Sequence, residues 1–70
     1  MITDSDIENW FQYHAPSPEQ QVHYGAIREG ARKFAFILLN NTPMSADQTA
    51  AFRLLRECVM TANASIACNE

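Results

Sequence analysis

Two helix-start signals of the same design divide this chain and fix its plan. Ser17-Pro18-Glu19-Gln20 supplies a capping serine, a proline suited to the first helical position, and a glutamine placed to close a capping box. Ser45-Ala46-Asp47-Gln48 repeats the serine-to-glutamine spacing, and Asn40-Asn41-Thr42-Pro43 stops the helix that runs between them. The signals predict one long helix over residues 18–39 and another over 46–67. Each would be about 33 Å long at the usual rise per residue. Equal arms on a short connection make an antiparallel αα-hairpin.

On the first arm, Tyr24, Ile27, Ala31, Phe34 and Leu38 alternate at spacings of three and four, a coiled-coil-like seam. The second arm carries a broader apolar stripe of Ala51, Phe52, Leu55, Cys58, Val59, Ala62 and Ile66. Gly25 and Gly30 weaken the first arm by roughly 1 kcal/mol each relative to alanine. That loss is compensated if a backbone or a ligand approaches closely at those positions. Val22, Ala26, Phe36 and Ile37 lie off the seam and are expected at contacts between subunits.

Before the hairpin, Thr3 with Asp4, Asp6 and Glu8 favours a short helix whose apolar side is Ile7, Trp10 and Phe11. A helix this short is marginal alone and must dock on something larger. Tyr13-His14-Ala15-Pro16-Ser17-Pro18 then breaks the periodicity, since two prolines in three residues force an extended or turned backbone. The whole chain, 1–70, therefore reads as a single all-α domain, with a short helix and proline-rich turn over 1–17 ahead of the hairpin.

Size constrains the fold further. At 70 residues and 7.9 kDa, a lone core rarely supplies more than about 3–5 kcal/mol. Ten of the apolar residues are alanines, which add contact more than volume. Cys58 and Cys68 stand about 15 Å apart if on one helix, too far for a bridge. They are read as reduced thiols, with Cys58 as a small core residue. Self-association is the remaining route to a larger core, so the chain is expected to form a homo-oligomer.

Charge narrows the partners. Five Lys and Arg against eight Asp and Glu give a net charge of −3, a poor balance for gripping long DNA or RNA. A local basic cluster can still hold a small anion. The longest apolar run, Phe34 to Leu39, is far shorter than the roughly 20 residues of a membrane span. No basic-then-apolar leader follows Met1, so a cytosolic location and no membrane partner are expected.

All five cations fall on the two arms: Arg28, Arg32 and Lys33 on the first, Arg53 and Arg56 on the second. Pairing the arms about the turn sets Arg32 near Arg53 and Arg28 near Arg56 or Glu57, all at the middle of the hairpin. One reading is a set of weak surface pairs with Glu29 and Glu57. The other is guanidinium groups aimed at phosphate, whose oxygens suit a planar bidentate donor. Phe11, Tyr13 and His14 either plug the hairpin or form a platform on which a base stacks. Asn63, between Ala62 and Ala64, either bonds across a close helix contact or reaches a ligand.

No Ser-His-Asp set, paired carboxylates or nucleophile elbow is legible, so no catalytic residue is assigned. His23 reads as a solvated helix residue. Neither a metal nor a cofactor is expected.

The pattern Phe11-x-Tyr13-His14-x-Pro16, then Tyr24-x-x-Ile27-Arg28-Glu29, resembles the hairpin domain of phage signalling-nucleotide sponges. So does the tail from Leu55-Arg56-Glu57 through Ala62-Asn63-Ala64 to Asn69-Glu70. The resemblance covers about Phe11 to Glu70 and is to the hairpin shared by anti-CBASS and anti-Thoeris sponges. It implies binding without catalysis: a phage counter-defence protein in the cytoplasm of the infected bacterial host. Such a protein sequesters cyclic dinucleotides such as cyclic GMP-AMP and keeps an antiphage effector inactive.

The anti-CBASS branch further implies a helical homohexamer, a trimer of dimers, with each cyclic-dinucleotide pocket built between two chains. Carried over by position, Tyr13 stacks on bases and Arg28 meets phosphate. Phe11, His14, Pro16 and Arg32 complete the candidate site. A second pocket for cyclic trinucleotides is also implied, with Asn63 and Asn69 as its candidates, although this chain has no basic residue near Cys68 where some members carry one. The anti-Thoeris branch adds a domain ahead of the hairpin that has no counterpart here. The competing reading is a structural or adaptor hairpin that binds another protein, with Tyr13 and Arg28 serving only as interface residues.

Overall fold

The computed structural model describes residues 1–70 and contains three helices and no strand: α1 (Asp4–Trp10), α2 (Pro18–Asn41) and α3 (Ala46–Asn69). The all-α expectation holds. Each helix begins on a hydroxyl cap. Thr3 Oγ1 accepts from the Asp6 backbone N–H at 3.1 Å, and the Asp6 carboxylate accepts from the Thr3 N–H at 2.9 Å. Ser17 and Gln20 close the same reciprocal box at the start of α2, at 3.1 and 3.0 Å. These bonds satisfy N–H groups that a helix start leaves without partners.

At α3 the box closes only by half. Ser45 Oγ accepts from the Gln48 N–H at 3.0 Å. The Gln48 side chain does not return to Ser45; it donates to the Thr42 carbonyl at 3.2 Å and to Thr42 Oγ1 at 3.1 Å. The glutamine thus ties the start of α3 to the end of α2 across the turn. Both long helices also run two residues past the expected ends at 39 and 67. Asn41 Nδ2 adds a second donor to the Ile37 carbonyl at 2.8 Å, and Thr42 Oγ1 donates at 2.6 Å to the Leu38 carbonyl, an acceptor that the Thr42 N–H leaves unmet.

The arms are antiparallel. Thr42 and Gln48 meet at one end, and at the other Gln20 Nε2 donates to the Ile66 carbonyl at 3.4 Å. Asn9 Nδ2 donates to the Cys68 carbonyl at 2.9 Å, so α1 docks on the last turn of α3. The His14 ring Nε2 lies 2.6 Å from the Asn9 carbonyl, folding the chain after α1 back on itself. Asn9 thus serves the Cys68 carbonyl, which has no backbone partner at the end of α3. Gln20 adds a second donor to the Ile66 carbonyl, which already accepts from the Glu70 N–H.

The seam differs from its expected composition at two positions. Tyr24, Ile27, Ala31, Ala35 and Leu38 are half-buried along α2, whereas Phe34 is 50% exposed. Ala35 takes the inner place because a small side chain lets the arms approach. On α3, Ala51, Phe52, Leu55, Val59 and Ala62 are half-buried and Ile66 is buried, but Cys58 is exposed and is not a core residue. It faces the flank rather than the partner helix. Both cysteines are free thiols.

The molecule measures 44 × 30 × 15 Å, and 15 Å is little more than one helix diameter. A single layer has no interior. Ile66 is accordingly the one buried residue, while fourteen large apolar side chains remain exposed, among them Val22 at 70%, Ile37 at 55% and Phe36 at 52%. Nothing in the chain approaches within 4 Å of a Cβ built on Gly30, and on Gly25 the nearest neighbour is the Arg28 guanidinium at 3.8 Å. The cost of Gly30 is therefore not offset by packing within the chain.

Candidate functional site

The line of contact between α2 and α3 has two unlike flanks. On one flank an open groove of about 540 Å³ is lined by Gln21, Tyr24, Arg28, Val59 and Asn63. It continues, through the shared Arg28 and Val59, into a groove of about 370 Å³ that adds Arg32 and Arg56 above Ala31, Ala35, Phe52 and Leu55. The other flank holds a groove of about 290 Å³ that is almost wholly apolar, including Ala26, Gly30, Phe34, Cys58 and Ala62.

The polar flank arises from helical spacing. Gln21, Tyr24, Arg28 and Arg32 follow one another at intervals of three and four along α2, and Arg56 and Asn63 are seven apart on α3. Such intervals put side chains on one face. Of the cations expected at the middle of the hairpin, Arg28, Arg32 and Arg56 come together, while Lys33 and Arg53 line none of the grooves. No carboxylate lines the polar flank. Arg32 is held weakly by Glu29 at 3.4 Å, with both side chains more than half exposed, and lies 5.3 Å from the centre of the Phe36 ring. Glu57 forms no such pair, so the reading of the cations as surface pairs accounts for Arg32 alone. Arg28 and Arg56 have no acidic partner and remain open to an anion.

The remaining candidate residues are scattered. Phe11 and Tyr13 are 84% and 86% exposed, and neither they nor Pro16 line a groove with Arg28 within one protomer. His14 is half-buried, with its ring engaged by the Asn9 carbonyl. Asn69 lies in the last turn of α3, away from all three grooves. Asn63 stands instead in the larger groove beside Arg28, and its Oδ1 is buried without a hydrogen-bond partner. His23 is half exposed, with Nδ1 3.4 Å from a Glu70 carboxylate oxygen.

Sequence reasoning missed Gln21 and placed Tyr24 on the seam and in the resembling pattern but not among the site residues. The interval linking both to Arg28 and Arg32 was the signal that would have found them. No group of three or more His, Cys, Asp or Glu side chains is placed to hold a metal ion. No helix is long and apolar enough to cross a membrane.

No curated protein and no solved structure matches this chain. The family described as Acb2/Tad1, hairpin domain, matches residues 3–67, a span that takes in α1 as well as both arms of the hairpin. A basic, carboxylate-free flank on a helical hairpin, together with a family match over nearly the whole chain, leads to one assignment: the protein belongs to the Acb2/Tad1 hairpin family of anti-CBASS and anti-Thoeris sponges.

Proposed function

We propose that this protein captures cyclic dinucleotides, such as cyclic GMP-AMP, and holds them uncleaved in the cytoplasm of the infected host, so that the antiphage effector they activate stays silent. The observation that carries this reading is the meeting of Arg28, Arg32 and Arg56 along a groove with no carboxylate. A planar guanidinium donates two parallel hydrogen bonds to a phosphate, and a cyclic dinucleotide carries two phosphates for such donors to meet. Tyr13 supplies a stacking face for a base. Its side chain stands free of its own protomer, which suits a pocket assembled from two chains. Cyclic trinucleotides are secondary candidates.

The working unit in this reading is a homohexamer arranged as a trimer of dimers. The apolar flank and the exposed Val22, Phe36 and Ile37 supply the surface that association would cover. Purified protein incubated with cyclic GMP-AMP, washed and then heated should release the intact messenger. Release of a linear or cleaved product would make it an enzyme. No retained nucleotide, with one stoichiometric protein partner recovered from infected cells, would make it an adaptor.

A further inference from the structure

The amide of Asn63 has no work within its own chain. Its Oδ1 exposes under 1 Å² and accepts no hydrogen bond, although the side chain lines the groove shared by Tyr24 and Arg28. A covered acceptor without a donor is destabilising, and native chains keep few of them. Asparagine is also a poorer helix former than the Ala62 and Ala64 that flank it. Rotation about χ2, a broad torsion, turns the amide oxygen toward the groove without breaking any bond.

A second copy of the same flank does not answer this need unaided, because it would set Arg28 and Arg56 against like charges with no carboxylate between them. An anion that also carries a hydrogen-bonding edge does answer it. We infer that Asn63 is the base-reading residue of this groove and that the base it reads is adenine; the inference rests on the cyclic-dinucleotide reading above. A carboxamide presents one acceptor and one donor side by side. Adenine offers the complement, an N6–H donor beside the N7 acceptor, whereas guanine shows two acceptors on the same edge and suits arginine instead. Arg28 serves the phosphates of either nucleotide. Gln21 brings a second carboxamide to the groove, but the covered acceptor that lacks a donor is on Asn63, and the preference between bases is assigned to it on that ground.

Competition binding with cyclic di-AMP and cyclic di-GMP tests this on the intact assembly. The wild-type protein should favour cyclic di-AMP by about tenfold or more, the discrimination a bidentate amide gives. Asn63→Leu, close in volume, and Asn63→Ala, the better helix former, should each bind the two messengers within about twofold of one another. Their helical spectra should be unchanged, and the alanine variant carries the test if the leucine variant misfolds. A preference kept by the folded variants overturns the assignment, as does a wild-type protein that binds both equally. Equal binding leaves the sponge reading standing, whereas failure of the wild-type protein to bind either messenger removes both.

Discussion

Arg28, together with Val59, joins the two arginine-lined grooves, and nothing acidic in the chain neutralises it. Replacing it by alanine removes charge-assisted bonds to phosphate, while the helix gains a residue of better propensity. Arg28→Ala should weaken binding of cyclic GMP-AMP by about a hundredfold or more with the helical spectrum and assembly size unchanged. Tyr13→Ala should cost a similar factor, since stacking lost at both bases of a symmetric ligand adds up. Calorimetry on the two variants checks both, and wild-type affinity in both would show that the site lies elsewhere. Some of this site was legible in the sequence, because arginines at helical intervals announce a shared face. Asn63 was legible as a candidate, but its place beside Arg28 rather than beside Asn69 and the burial of its amide oxygen were not, because both depend on how closely α3 meets α2.

Among the elements, α1 is the least secure. Seven residues cannot sustain a helix in water, and α1 is held by its cap at Thr3 and by the Asn9 bond to the Cys68 carbonyl. Asn9→Ala removes that tie and leaves a carbonyl of α3 short of a partner, a loss of about 1 kcal/mol. Amide hydrogen exchange should then speed up across α1 and the last turn of α3 while the middle of α2 keeps its protection. Unchanged exchange in α1 would show that apolar contact alone docks it.

The start of each long helix was readable from local chemistry, as were the two arms and their direction. Ser17 with Gln20, Pro18 at the first turn and the Asn-Asn-Thr-Pro stop act within a few residues of themselves. The inner places on the seam were harder to read. Phe34 and Ala35 are neighbours, either could face α3, and only the close approach of the arms selects the smaller one. Gln48 shows the same limit, because its bond to Thr42 depends on the turn having already formed.

The whole protomer is one layer thick and keeps Phe34, Phe36, Ile37 and Leu54 at least half exposed. Full burial of such a side chain is worth roughly 1.5–3 kcal/mol, and about half of that is still to be gained at each of these half-exposed positions. Association is the physical remedy. Sedimentation or light scattering at micromolar concentration should report a defined multimer, six chains in the proposed assembly, and a monodisperse 7.9 kDa species would contradict it. Phe34→Asp and Ile37→Asp place a charge on the face to be covered and should each shift the population toward smaller species. If neither variant alters the assembly, the chains meet elsewhere.

The division of labour between the flanks leads to one stoichiometric result. If the apolar side joins chains while the arginine side closes on a ligand shared by two of them, titration of cyclic GMP-AMP into the assembly should saturate at one ligand for each pair of chains. The ligand recovered afterwards should be intact. Saturation at one ligand per chain would contradict the shared pocket, and absence of any binding heat or retained messenger would contradict capture itself.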